Sequence, residues 1–191
     1  MHTIYHTEAI VVRSEPSGEA NKRVWLFTRE LGLVIAMVQG VRKSTAKLQS
    51  HVSDYSVVMA DLIKGKSTWR LISSQVIAAP VKGSTRAPTA RAYVRTVTFL
   101  ERFLVGEGIH EELFEHVVEM ANIIKKEHIE ARFLDALSLW KMLALLGYIA
   151  IEEKDQALFS LPLSEAVDAM TESKMKELIK NATEAIISSH L

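Results

Sequence analysis

Three cations, Arg42, Lys43 and Lys47, fall within six residues just after an apolar run, Val34-Ile35-Ala36-Met37-Val38, that ends at Gln39-Gly40. The run is β-prone and suits a buried strand, and Gly40 lets the backbone turn at its end, so the cations are expected together in one exposed loop. Cations presented at the edge of a rigid sheet suit phosphate. Lys22 and Arg23 open the preceding strand-like run, which an antiparallel barrel brings near the same rim. Arg13, Lys64, Lys66 and Arg70 are more scattered additions. A second set, Arg91, Arg95 and Arg102, falls within about 40° on one helical face at about 3.6 residues per turn. These three either pair with nearby acids such as Glu101 and Glu107 or hold an acidic protein partner. Tyr5, Trp25, Phe27, Tyr55 and Trp69 can stack on bases, although a small barrel must bury most of them and leave one or two exposed.

Other patterns that resemble catalytic or metal sites fail on spacing. Gly65-Lys66-Ser67 has the ending of a phosphate-binding loop, but Ala60 stands where that motif needs a glycine, and strands flank the segment where a helix should follow. In His110-Glu111-Glu112-Leu113-Phe114-Glu115-His116 the histidines are six apart and lie on different helical faces. His2 and His6 can share a strand face but have no third ligand. There is no Gly-x-Ser-x-Gly elbow, glycine-rich dinucleotide loop or convincing acid pair. An enzyme is therefore not expected, nor a metal or other cofactor. Zero cysteines exclude disulfides, thiol catalysis and cysteine-ligated zinc.

The elements that must position these residues differ between the halves of the chain. At 191 residues, 48% hydrophobic and 24% charged, the chain can bury a sizeable core as one large or two small domains. Its net charge of zero divides into +8 over residues 1–100 (14 Lys+Arg, 6 Asp+Glu) and −8 over residues 101–191 (9 and 17). This asymmetry puts a cationic working surface on the first half. The longest apolar run, Met142 to Ile151, is too short to span a bilayer, and Met1-His2-Thr3-Ile4-Tyr5-His6 has no basic segment leading into an apolar one. A cytoplasmic protein with no membrane partner is expected.

Alternation predicts strands over Ile4–Arg13, Lys22–Thr28, Leu33–Val38, Tyr55–Ile63 and Trp69–Val76, with a turn at Pro16-Ser17-Gly18. On the second strand Val24, Leu26 and Thr28 take one face and Arg23, Trp25 and Phe27 the other. Five strands in so short a stretch suit a small closed barrel of the OB type, with an SH3-like barrel as the alternative. After Pro80 the period becomes helical. Tyr93, Val97, Leu100 and Leu104 form one helical face, and Leu113, Val117, Met120 and Ile124 form another. Ala131 to Leu146 is apolar nearly all round and reads as a central helix ended by Gly147. Ser164 and Thr171 are expected N-caps of two later helices. The class is α+β: residues 1–80 a nucleic-acid-binding barrel, residues 81–191 a bundle of four to six helices.

Four blocks then carry a family resemblance: Glu8-Ala9-Ile10-Val11-Val12-Arg13, Gly18-Glu19-Ala20-Asn21-Lys22-Arg23-Val24, Leu26-Phe27-Thr28-Arg29-Glu30-Leu31-Gly32 and Gly40-Val41-Arg42-Lys43-Ser44. Their order and spacing resemble the N-terminal domain of the bacterial recombination and repair protein RecO. Phe99-Leu100-Glu101-Arg102-Phe103-Leu104 and Leu145-Leu146-Gly147-Tyr148 resemble that family's helical domain more weakly. The resemblance implies an OB-fold followed by a helical domain and no enzymatic activity. It implies binding of single- and double-stranded DNA, strand annealing, and cooperation with RecR in loading RecA onto DNA coated by single-stranded-DNA-binding protein, whose acidic tail is a further partner. It assigns phosphate contacts to Arg42, Lys43 and Lys47, with Lys22 and Arg23 beside them. The chain departs from the family in lacking the Pro-Phe usual near Leu48-Gln49-Ser50-His51-Val52. It also lacks the cysteine-rich zinc module that often follows Leu146-Gly147-Tyr148, which makes it resemble a short, metal-free member.

Overall fold

The computed structural model describes residues 3–19, 21–39, 52–66, 68–82, 87–104, 106–126 and 128–189. They fall into two compact units, Met1–Lys82 with Leu104–Phe114, and Gly83–Phe103 with Glu115–Leu191.

The first unit is built on five strands: β1 (Ile4–Ser17), β2 (Asn21–Thr28), β3 (Gly32–Val38), β4 (Val57–Lys64) and β5 (Trp69–Ala78). Period-two alternation turns Ala9, Val11, Val24, Leu26, Val34, Ala36, Val38, Val58, Ala60, Leu62 and Leu71 into one core, where they pack with Val52 and Trp69. The strands close in the order β1-β2-β3-β5-β4, with β4 returning to β1. This is the OB-type barrel, and the SH3-like alternative falls away. Among the described residues, the parallel β3–β5 seam pairs Ala36 with Trp69 and Met37 with Arg70, whereas each antiparallel junction pairs at least seven positions.

Strand ends shift by one to four residues from those read in the sequence, two of them for a visible local reason. β1 runs through Pro16 to Ser17 and turns at Gly18, whose φ of +69° suits a residue without Cβ. β4 starts at Val57, because Tyr55 takes φ +68° in a turn closed by the Ser56 hydroxyl on the Ser53 carbonyl. At the other end of β2, the Thr28 hydroxyl donates to the Gly32 carbonyl at 2.9 Å and accepts from the Leu31 N–H at 3.0 Å. Gly32 itself has φ +71°, and a Cβ there would lie 2.2 Å from the Gly108 carbonyl oxygen. Only glycine allows residues 106–114 to lie this close along the barrel, where the Leu33 N–H donates to the Gly106 carbonyl and Phe27 meets Phe114 with 5.6 Å between ring centres.

The remaining elements are helical: α1 (Pro88–Phe103), α2 (Glu111–Ile123), α3 (Ala131–Leu145), a 3₁₀ turn at Glu153–Asp155, α4 (Gln156–Ser160), α5 (Leu163–Asp168) and α6 (Glu172–Ser188). The α3 helix is central, packing on α1, α5 and α6 and burying Leu134, Leu137, Trp140, Met142 and Leu143. Gly147 ends it at φ +80°. Its N–H bonds the Ala144 carbonyl and that of Tyr148 bonds the Leu143 carbonyl, the paired closure that a left-handed residue permits. Thr171 caps α6, accepting from the Lys174 N–H. Ser164 is not a cap. α5 starts at Leu163, two residues earlier than a Ser164 cap implies, and the Glu119 carboxylate, from α2, accepts the Leu163 N–H at 2.5 Å and satisfies that helix start from outside. Among the described residues, no helix is long and apolar enough to cross a membrane.

Candidate nucleic-acid interface

On β2 the core takes Val24 and Leu26, so Arg23, Trp25 and Phe27 turn outward. The cross-strand register extends this outward row. Trp25 stands between Arg13 on β1 and Ile35 on β3, while Arg23 stands between Glu15 and Met37, and Met37 pairs with Arg70 across the seam. Strict alternation from Val11 would send Arg13 into the core. A bulge between Val11 and Arg13 inserts one residue and reverses its facing. Arg13, Arg23 and Arg70 thus share one face across four neighbouring strands.

Their partners are exchangeable. Arg13 lies 3.3 Å above the Trp25 ring centre and 2.8 Å from Glu15, which Arg23 also approaches at 3.4 Å. Each member of this trio is more than a third exposed, so water screens the pairs and a phosphate can compete for the guanidinium groups. Arg70 donates to the Gln39 side-chain oxygen at 2.7 Å. Beside this row is a depression of about 410 Å³ lined by Arg23, Ile35, Met37, Thr68, Trp69 and Glu107. Glu107 accepts from the Trp69 indole N–H at 2.9 Å and from the Lys64 ammonium at 2.7 Å, and these two bonds hold its carboxyl below the usual range.

Residues 1–79 match the family model described as "Recombination protein O N terminal". The first 79 residues are thus similar to the N-terminal domain of the RecO family. Similar proteins include the DNA repair protein RecO of Clostridium novyi (strain NT), 24% identical over 151 residues, which are 76% of this chain and 57% of that protein. The DNA repair protein RecO of Synechococcus sp. (strain JA-2-3B'a(2-13)) is 27% identical over 157 residues, 75% of this chain and 54% of that protein. That of Dehalococcoides mccartyi (strain ATCC BAA-2100 / JCM 16839 / KCTC 5957 / BAV1) is 36% identical over 73 residues, 38% of this chain and 29% of its own length. The chain matches little more than half the length of the first two relatives.

The RecO-type barrel distributes the remaining sequence-predicted residues unevenly. Arg42, Lys43 and Lys47 lie outside the described residues. Lys22 alternates to the opposite side from Arg23, half-buried, with its ammonium 3.4 Å from the Val52 carbonyl. The expectation of one or two exposed aromatics is corrected: Trp25, Phe27 and Trp69 are buried and Tyr5 and Tyr55 half-buried. Arg13 covers Trp25, Phe114 packs against Phe27, and Tyr5 meets Trp69 edge-on at 5.1 Å.

On α1, Arg91 and Arg95 line a cleft of about 180 Å³ with Arg132 and Asp135, and Arg102 is exposed elsewhere on the helix. Arg95 pairs with Asp135 at 3.0 Å rather than with Glu101 or Glu107. Among the described residues, no three His, Cys, Asp or Glu are placed to hold a metal. His116 is buried against the Ser138 carbonyl at 3.2 Å, and burial, with Lys141 nearby, lowers its pKa to about 4. Sequence reasoning missed Glu107 as the partner of Trp69 and Lys64, since 38 and 43 residues separate them and no local pattern links them.

Proposed function

We propose that the chain is a non-catalytic nucleic-acid-binding protein of recombinational DNA repair that lays single-stranded DNA across the outer face of its barrel. The observation that carries this reading is the outward alignment of Arg13, Arg23 and Arg70 across β1, β2, β3 and β5 of a RecO-type barrel. The relatives' name, DNA repair protein RecO, supports the process. Arg42, Lys43 and Lys47 follow β3 in the chain and add cations to the same anion-binding role.

The mechanism is electrostatic. Each phosphate neutralised releases a condensed counterion, so about five contacts give a log-log salt slope of roughly −3.5 on single strands. A surface that holds two strands by their phosphates lowers their mutual repulsion and leaves their bases free to pair, which is annealing. Duplex DNA is held by the same contacts. In this reading the protein works in the cytoplasm with RecR and single-stranded-DNA-binding protein, and indirectly helps load RecA. Titrating a labelled oligonucleotide at several salt concentrations tests the reading, and an affinity indifferent to salt refutes it.

A second reading rests on the cleft formed by Arg91, Arg95 and Arg132. There the chain is an interaction adaptor whose helical cations grip an acidic tail such as that of single-stranded-DNA-binding protein. Titrating an acidic peptide against Arg91→Ala and Arg95→Ala separates it from the first reading: the adaptor loses peptide binding and keeps DNA binding.

A further inference from the structure

We propose that the depression beside the arginine row takes one guanine base of a bound single strand, with Glu107 reading its Watson–Crick edge. The proposal rests on the DNA-binding reading above and adds a base preference to it. The lining suits a base better than a phosphate. Ile35, 46% exposed, and Met37 offer an apolar surface to a planar ring, and Arg23 flanks them with a guanidinium able to stack or to reach the neighbouring phosphate. A carboxylate in the same lining repels the backbone, so its use there is to accept hydrogen bonds from donors that a base carries.

Glu107 is fixed for that task. Its Oε1 is held by the Trp69 indole N–H and its Oε2 by the Lys64 ammonium, and Gly106 and Gly108 on either side of it are seated against Leu33 and Gly32. Each carboxylate oxygen keeps a further lone pair, so the group offers two side-by-side acceptors. Guanine alone among the four bases carries two adjacent donors on its Watson–Crick edge, N1–H and the 2-amino group. Adenine and cytosine place an amino group beside a ring acceptor that a carboxylate repels, and thymine places one N–H between two carbonyls. The carboxyl's depressed pKa keeps it ionised and donor-free at neutral pH.

The test compares fluorescence-labelled fifteen-residue oligothymidylate with the same strand carrying one central dG, dA, dC or inosine, by anisotropy at low salt. The dG strand is expected to bind about tenfold tighter than the all-thymine strand, the worth of one to two net hydrogen bonds. Inosine, which lacks the 2-amino group, loses most of that gain. In Glu107→Gln, one acceptor is replaced by a donor, and the dG-to-dT ratio measured on the same preparation falls to about one. Equal affinity for all strands, or a guanine preference that survives in inosine or in Glu107→Gln, overturns the proposal and leaves the DNA-binding reading intact. Failure to bind any of the strands overturns both.

Discussion

The Arg13 guanidinium lies 3.3 Å over the centre of the Trp25 ring, and Arg13 faces outward only because of the bulge that precedes it. One side chain is thus both the cover of a buried indole and a member of the cationic row. Arg13→Ala should cost about 0.5–1 kcal/mol in urea unfolding through the lost cation–π contact. It should also make the tryptophan emission more open to acrylamide quenching. Unchanged stability and quenching would show that Arg13 does not cover Trp25 in solution.

Arg23 and Arg70 flank Met37 on the outer face, so each is expected to contact one phosphate of the bound strand. Replacing either with alanine should weaken oligonucleotide binding whatever the sequence and make the salt slope shallower by about 0.7. The two changes should add. A loss confined to particular sequences would point to base contacts instead.

His116 sets a pH dependence of stability. Burial, reinforced by Lys141, holds its folded pKa at about 4 against 6.5 for the free side chain. The unfolded chain therefore binds the extra proton, and the contribution is complete above pH 6.5, declines as pH falls and ends near pH 4. The total is about 3 kcal/mol at most. Urea midpoints measured from pH 7 to pH 4 should fall more in the native protein than in His116→Gln, and parallel curves would exclude the effect.

Gly32→Ala should destabilise the barrel unit by about 1–3 kcal/mol, because the added methyl meets the Gly108 backbone and the residue must keep a positive φ. The variant should also expose the amides of Leu33 and Phe114 to faster hydrogen exchange. Gly18→Ala keeps the strained φ but meets nothing within 4 Å, so it separates backbone strain from the clash.

The barrel was legible because alternation is a local property: Val24 and Leu26 against Arg23, Trp25 and Phe27 already assigns both faces of β2. The central helix and its glycine stop were legible for the same reason. What escaped was non-local. No residue type announces the bulge that turns Arg13 outward, and nothing near Trp69 in the chain names Glu107 as its partner. The misplaced cap shows the same limit, since Ser164 has a capping side chain but Glu119, 44 residues away from Leu163, supplies the acceptor.

The β3–β5 closure, held at Ala36–Trp69 and Met37–Arg70, sits under the arginine row and has the shortest ladder of the barrel among the described residues. On the proposed reading, a polyanion bridging Arg23 to Arg70 would act there as an external stitch, fastening the two sides of the join from outside. Occupancy and barrel closure would then be one coupled equilibrium: the ligand would tighten the barrel where it is least sewn, and loosening that join would release it.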